Sequence, residues 1–509
     1  MRSKNALRNT LLSLLYEIIL IAFGLIMPKL IINTFGSSIN GLTSTIGQIL
    51  QILNLLQAGA VGASIFQMYK PVSEKNYDQI SVILDASKKY FIKIGFIFVG
   101  LTLAVSPILA FTKSNNEISA WEIALSFIIL GLNGSLYMFF ISWYDILFSS
   151  HQKRFLLSIG GIIEKLVYYA LLLIIIRSKI HFIFMYISAI IGSLCDIVFL
   201  NMVYSKQYKQ LMIRVPPNNN FKIKNKEYLL CNQIAVQATD SMPTILITSI
   251  YNLKLASVYG LYNLVQNMIK MVIKTIQFSI SEVFGNVTVS ESESRINSIY
   301  DLLEFMFFLA GIILCTCAMF LFMPFIFIYT NSNTFDINYL YPMLALLMVI
   351  YSIVYCMYMP CYTLSNVYGL FRETYLQAII SAVIGFVIAV GFGIYYWPLV
   401  LLGPIFYYLS SIIYRTWIIK KHIKWFSVRT FIRRIVVAIL LPACSFFASN
   451  IFYESGYPNS WTMWLKQALA CGFFTVLLTG VYVLIFEREE FISLLGYGKN
   501  MLKKKMPAN

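Results

Sequence analysis

The chain has 509 residues, 59% of them hydrophobic and only 12% charged, with a formal net charge of +17. Soluble domains carry about a quarter charged residues, so the composition excludes a soluble enzyme. The charge might suggest nucleic acid, but the basic residues lie between long apolar runs, which excludes a DNA-binding protein and points to a multi-span membrane protein.

About 14 apolar stretches are long enough to span a bilayer. The first, near 9–32, follows Arg2, Lys4 and Arg8 and carries Ser13 and Glu17. It is too long for a secretory signal and has no small-residue cleavage site behind it, so it is expected to persist in the mature protein. The second, 39–66, places Asn40, Ser44, Gln48, Gln51 and Asn54 at three- and four-residue spacing, which is one helical face. Stretches at 88–111, 121–143, 157–176 and 182–204 follow. Lys93, Glu164, Lys165 and, in the twelfth stretch, Arg415 lie near cytoplasmic ends, where snorkelling is expected. Asp196 sits deeper and is expected to pair with one of the in-membrane charges.

A basic polar break, 205–228, interrupted by Pro216, Pro217 and Asn218 to Asn220, closes the first half. The seventh stretch, 229–251, carries Gln233, Gln237, Asp240, Ser241, Thr244 and Thr248, with Asp240 three residues before Pro243, read as a helix break. The eighth, 256–284, carries Asn263, Gln266, Asn267, Lys270, Lys274, Gln277 and Ser281 at helical spacing. The rest run at 299–328 (with Glu304, read either as a buried pair or as a wet helix end), 339–365, 374–395, 398–419 (with Arg415), 434–453 and 463–486. Only Tyr396, Trp397 and Pro398 mark a turn between the eleventh and twelfth.

With the N-terminus inside, cytoplasmic segments hold 28 of the 39 basic residues and outer segments hold 6, which predicts both ends in the cytoplasm. The basic 205–228 segment and Lys503 to Lys505 are expected to meet anionic lipid, not nucleic acid. A slide of 219 positions lays Ile39-Asn-Gly-Leu42 on Val258-Tyr-Gly-Leu261, Gln48 on Asn267 and Gln51 on Lys270, and nearly lays Pro107 on Pro324. That suggests two parallel six-span repeats, an arrangement common in transporters. The expected domains are an N-lobe, 1–215, a C-lobe, 216–425, and an appendix of two spans with a cytoplasmic tail, 426–509.

No nucleotide-binding motif is present, and the outer loops are too short to carry an enzyme's chemistry, so no catalytic residue is assigned. Eight cysteines read as small core residues. His151, His181 and His422 are too scattered to build a metal site.

The polar stripes would be costly against lipid, so they face protein or water. Hydrogen bonding between packed spans accounts for single Ser, Thr or Asn residues. Two lysines one turn apart are better accounted for by a hydrated cavity lined by spans 1, 2, 7 and 8, with Lys270 and Lys274 facing a bound phosphate or pyrophosphate. Neutralisation of the lysines by Asp240 or Glu17 is the alternative. Asp240 is also a candidate H⁺ or Na⁺ site, with a structural ion pair as the other reading. The candidate binding set is Lys270, Lys274, Asn263, Asn267, Gln277, Gln48 and Gln51, and the candidate charge-balancing or coupling pair is Asp240 and Glu17.

The run Pro28-Lys-Leu-Ile-Ile-Asn-Thr-Phe-Gly36, then Gly41-Leu-Thr-Ser44, then Leu55-Leu-Gln-Ala-Gly-Ala60 closing on Tyr69-Lys-Pro71 and Glu74-Lys-Asn76, resembles bacterial polysaccharide flippases. Their superfamily also includes multidrug and toxin extruders and lipid II flippases. The resemblance implies an all-α membrane fold with two six-helix lobes in a V, two extra C-terminal helices and alternating access. It also implies an undecaprenyl-type pyrophosphate-linked oligosaccharide as substrate, a bacterial cytoplasmic membrane, and polysaccharide polymerase and glycosyltransferase partners. Cationic residues of span 8 are similar in position to those of lipid II flippases, which favours Lys270 and Lys274. The arginines that lipid II flippases carry along their first two spans are replaced here by Glu17, Gln48 and Gln51.

Overall fold

Long apolar runs in a medium without water must satisfy every backbone group within the segment, and the helix does this. The computed structural model accordingly consists of helices, and no strand occurs among the described residues. These are residues 2–57, 60–114, 117–208, 226–290, 293–330, 336–423, 425–452, 457–458 and 460–492. Side chains are described for all of them except 2–7, 10, 63, 66, 73, 226, 227, 229, 278–290, 293–295 and 443–452. Most of the 205–228 segment, the Lys503 to Lys505 tail, and the side chains of Ser281 and Cys444 therefore lie outside the described residues.

In chain order the helices are α1 (Arg2–Phe35), α2 (Ser37–Leu53), α3 (Ala60–Ser73), α4 (Tyr77–Lys113), α5 (Ala120–Leu136), α6 (Ser142–Ser150), α7 (Phe155–Arg177) and α8 (Ile183–Gln207). They continue as α9 (Lys226–Ile250), α10 (Leu253–Ser290), α11 (Glu293–Thr330), α12 (Pro342–Val367), α13 (Phe371–Gly393), α14 (Leu402–His422), α15 (Val428–Phe452) and α16 (Trp461–Phe486). Among the described residues, 11 helical segments are long and apolar enough to cross a membrane. Each apolar stretch read from the sequence overlaps a helix, the second dividing between α2 and α3. The turn at Tyr396 to Pro398 separates α13 from the short 3-10 segment Trp397–Leu401 that leads into α14.

Two compact units emerge, Met1–Gly260 with Thr334–Ile337, and Leu261–Asn333 with Asn338–Asn509. In the first, α7 packs on α8 and α1, α4 on α5, and α2 on α9. Its apolar interior includes Ile39, Leu42, Ile46, Phe98, Phe127 and Leu172. Gly41 of α2 is required by close approach, since a Cβ there would fall 1.7 Å from the Leu253 carbonyl oxygen at the start of α10. Reciprocally, a Cβ on Gly260 would meet the Ser44 hydroxyl at 2.9 Å. The glycines that align in the internal repeat thus each make room for the other helix.

In the second unit α12 is the hub, packed against α11, α14 and α15 and buried along most of its length. The two last helices dock on α11. Arg434 of α15 donates to Glu304 of α11 at 2.7 Å and to Glu487, just past α16, at 2.7 Å, and Arg433 donates to Glu487 at 2.5 Å. Arg434, Glu304 and Glu487 are all buried. Glu304 is therefore a buried pair and not a wet helix end. At the other end of α16, Trp461 and Trp464 pack on Phe325 of α11, with ring centroids 6.0 and 5.8 Å away.

Two in-membrane charges differ from expectation. Arg415 does not snorkel: it is 1% exposed, donates to the Ser365 hydroxyl at 2.5 Å and lies over the rings of Tyr358 and Tyr362. Its face of α14 meets α12, where hydroxyls and ring faces hold a guanidinium without water. Asp196 is buried but makes no ion pair within 4 Å among the described residues, and its Oδ1 has no hydrogen-bond partner there. Its carboxyl lies against Gly160 of α7, where a Cβ would fall 1.9 Å from that oxygen, so it fills the notch of a missing side chain. Lys165 instead pairs with Glu164 at 2.8 Å.

Candidate functional site

The polar residues of α2 find partners within the first unit. Thr45 and Thr248 share a hydroxyl–hydroxyl bond of 2.6 Å, and the Asn40 amide donates to the Ser257 hydroxyl at 2.7 Å. The Gln237 amide donates both to the Gln51 carbonyl oxygen and to the Ser241 hydroxyl, each at 3.0 Å. Three turns of α2 are thereby stitched to α9 and to the start of α10 by neutral hydrogen bonds. Ser13 of α1 bonds elsewhere, to Ser158 of α7 at 3.2 Å. Gln48, Glu17 and Asp240 are half-buried, and Asp240 lies within electrostatic reach of the Tyr259 hydroxyl. Pro243 does not break α9, which runs unbroken from Lys226 to Ile250. Membrane helices tolerate proline where neighbouring groups take up the freed carbonyl.

At the end where α2 begins, Lys254 pairs with Glu117 at 2.5 Å and with Asp336 at 3.2 Å, while the Ser38 and Ser37 hydroxyls donate to the same two carboxylates. The bonds from Lys254 and then Ser38 hold the Glu117 carboxyl below its ordinary range. Burial pushes Asp336 up, but Ser37 and Lys254 outweigh it and leave Asp336 lowered. Glu117, ahead of Asp336, raises the Lys254 ammonium. These residues were not singled out as a group, since only contact between loops distant in sequence unites them.

In the second unit, the polar stripe of α10 divides. Gln266 and Lys270 are buried, Asn263 and Gln277 half-buried, and Asn267 and Lys274 exposed. The two lysines thus do not share one surroundings. Lys270 donates to the Tyr351 hydroxyl at 2.8 Å, and its ammonium stands 4.4 Å from the Tyr351 ring centre and 5.2 Å from that of Tyr355. Ring faces attract a desolvated ammonium. Tyrosines 351, 355, 358 and 362 recur along α12 at helical spacing. That recurrence was the available signal for a hydroxyl-lined helix face beside the basic residues.

No protein-family model matches the chain, and no curated protein matches it by sequence. Solved structures match it in fold. The inward-facing conformation of a multidrug resistance MATE family transporter of the MOP superfamily aligns with a TM-score of 0.66 at 10% identity, covering 81% of this chain and 96% of its own. Lipid II flippase MurJ, in an inward closed conformation, aligns with a TM-score of 0.63 at 13% identity, covering 93% of this chain and 98% of its own. MATE in complex with MaL6 aligns with a TM-score of 0.58 at 13% identity, covering 83% and 96%. The chain therefore has the all-α, multi-pass membrane fold of MATE-like and lipid-flippase transporters.

Proposed function

We propose that this protein is a flippase that carries a polyprenyl-pyrophosphate-linked oligosaccharide from the cytoplasmic to the outer leaflet of a bacterial cytoplasmic membrane, by alternating access and without breaking a bond. The observation that carries the reading is Lys270, a buried cation on a polar face of α10, held against a hydroxyl and two ring faces. An ammonium so placed suits a phosphoryl oxygen, and it has no place in a cavity built for cationic drugs. The fold's fit to a lipid II flippase over 93% of the chain supports the same reading.

Lys274, Asn263, Asn267, Gln277, Gln48 and Gln51 would contribute to the same path, with the exposed Lys274 meeting the anion first. Asp240 and Glu17, half-buried carboxylates on membrane helices, would take up H⁺ or Na⁺ in the drive for transport. Glycosyltransferases would supply the loaded carrier and a polymerase would consume it.

A second reading, a cation-coupled multidrug extruder, is favoured by the TM-score of 0.66 to a MATE transporter. Depletion of the protein in its host separates the two. Complete lipid-linked repeat units trapped on the cytoplasmic leaflet, reproduced by Lys270→Ala with Lys274→Ala, support the flippase. A normal lipid-linked pool with new sensitivity to cationic drugs sinks it and supports the extruder.

A further inference from the structure

The α10 face that holds Lys270 contains a second feature, which the reading above leaves unused. Gln266 is 0% exposed, and neither its amide nitrogen nor its carbonyl oxygen has a hydrogen-bond partner among the described residues. Its neighbours on the helix show why. One turn before it, the Tyr262 hydroxyl donates to the Tyr339 carbonyl oxygen at 2.9 Å and accepts from the Tyr341 backbone N–H at 3.0 Å. One turn after it, Lys270 reaches Tyr351. The stretch of α12 between those contacts, Leu344 to Met348, offers no polar side chain except the weak thioether of Met348. Gln266 thus buries a donor group and an acceptor with neither satisfied, an arrangement that costs stability. Residues four apart on a helix lie on one face, so Gln266 sits one turn from Lys270 on the same side of α10.

We propose that Gln266 and Lys270 form one subsite for the phosphorylated sugar end of the substrate, closed in this conformation by the Tyr351 hydroxyl. The proposal rests on the flippase reading. When α10 parts from α12, the Lys270 ammonium exchanges the Tyr351 hydroxyl for a phosphoryl oxygen. The Gln266 N–H group donates to the same phosphate, and its carbonyl oxygen accepts from the adjoining sugar hydroxyl. An amide serves here because it offers a two-hydrogen donor and an acceptor on separate atoms, able to reach two groups of the ligand at once. Tyr351 is a resident partner of the ammonium in this conformation.

The test is equilibrium binding of a polyprenyl diphosphate bearing one N-acetylhexosamine to the full chain in nanodiscs of zwitterionic lipid, with thermal unfolding followed in parallel. Gln266→Leu should weaken binding about tenfold while leaving the unfolding midpoint unchanged or higher, because an orphan amide is removed. Gln266→Glu, which pairs with Lys270 and keeps the polar volume, should weaken it further; it also serves if Gln266→Leu does not fold. If the wild type binds and both Gln266 variants bind as well as it does, the amide merely encloses a water and the subsite is wrong. Should phosphatidylglycerol displace the probe at equal concentration, the site takes any lipid phosphate and the sugar assignment falls. No binding by the wild type overturns the flippase reading itself.

Discussion

The seam of α2 with α9 and the face of α10 against α12 use similar residues to opposite ends. In the seam, threonine, serine, asparagine and glutamine pair with one another, and each helix supplies what the other needs. On the α10 face, a lysine leans on a tyrosine hydroxyl and a glutamine has no partner. Polar residues inside a membrane that complete each other are packing. A buried amide with neither group satisfied, such as Gln266, is the exception that asks for an explanation.

The comparison can be sharpened by variants, beginning with the largest effect. Arg434→Met tests whether a buried charge in the second unit is purely structural. It leaves Glu304 buried without its guanidinium and Glu487 with Arg433 alone, and should cost about 3–5 kcal/mol in unfolding measurements, or prevent accumulation altogether. Gly41→Ala attacks the seam by volume. Its new methyl must displace the Leu253 backbone, and about 1–3 kcal/mol of destabilisation is expected by thermal unfolding.

Lys270→Met against Lys274→Met asks which lysine does the work. Transport assayed by repeat units reaching the outer leaflet should fall about tenfold or more for the buried Lys270, and by less for the exposed Lys274. Equal losses would break the distinction drawn between them. Thr45→Val removes one neutral bond of the seam and should cost only about 0.6 kcal/mol, with transport kept.

The smallest effect belongs to pH. Glu117 and Asp336 are lowered, so their pairing with Lys254 stabilises the fold above the carboxylates' ordinary range and is lost as pH falls through their lowered values. Lys254 is raised, so its own contribution persists through neutrality and fades only at strongly alkaline pH. Lys254→Met should flatten the acid limb of the unfolding midpoint against pH, by little because all three groups are partly exposed.

Much of the helical layout was legible because a bilayer imposes length and apolarity together, and even the near-continuous 374–419 stretch betrayed its turn at Tyr396 to Pro398. Periodicity also found the polar stripes, but it could not tell which side of α10 meets α12. Lys270 and Lys274 share a stripe in the sequence and part company in the fold, because a stripe spanning several turns is wide enough to straddle a packing edge. Arg434 opens the 434–453 stretch, and nothing local sets it apart from any other cation at a helix end. Its partners, Glu304 and Glu487, lie far away in sequence on either side, and no local pattern joins them. Arg415 was misjudged for a similar reason: distance to the helix end suggested water, while the neighbouring helix supplied hydroxyls and rings.

The last helix is fastened to α11 twice, by the Arg434 ion network near Glu304 and by the tryptophans on Phe325, points about 30 Å apart along α11 at helical rise. A rod pinned at both ends cannot swivel against its neighbour, so the two helices turn as a single paddle. The free side of that paddle carries Leu469, Phe473, Leu484 and Ile485, all exposed to whatever surrounds the fold. Bilayer thickness and stiffness then act on it as a mechanical load, felt by α11 whenever it moves.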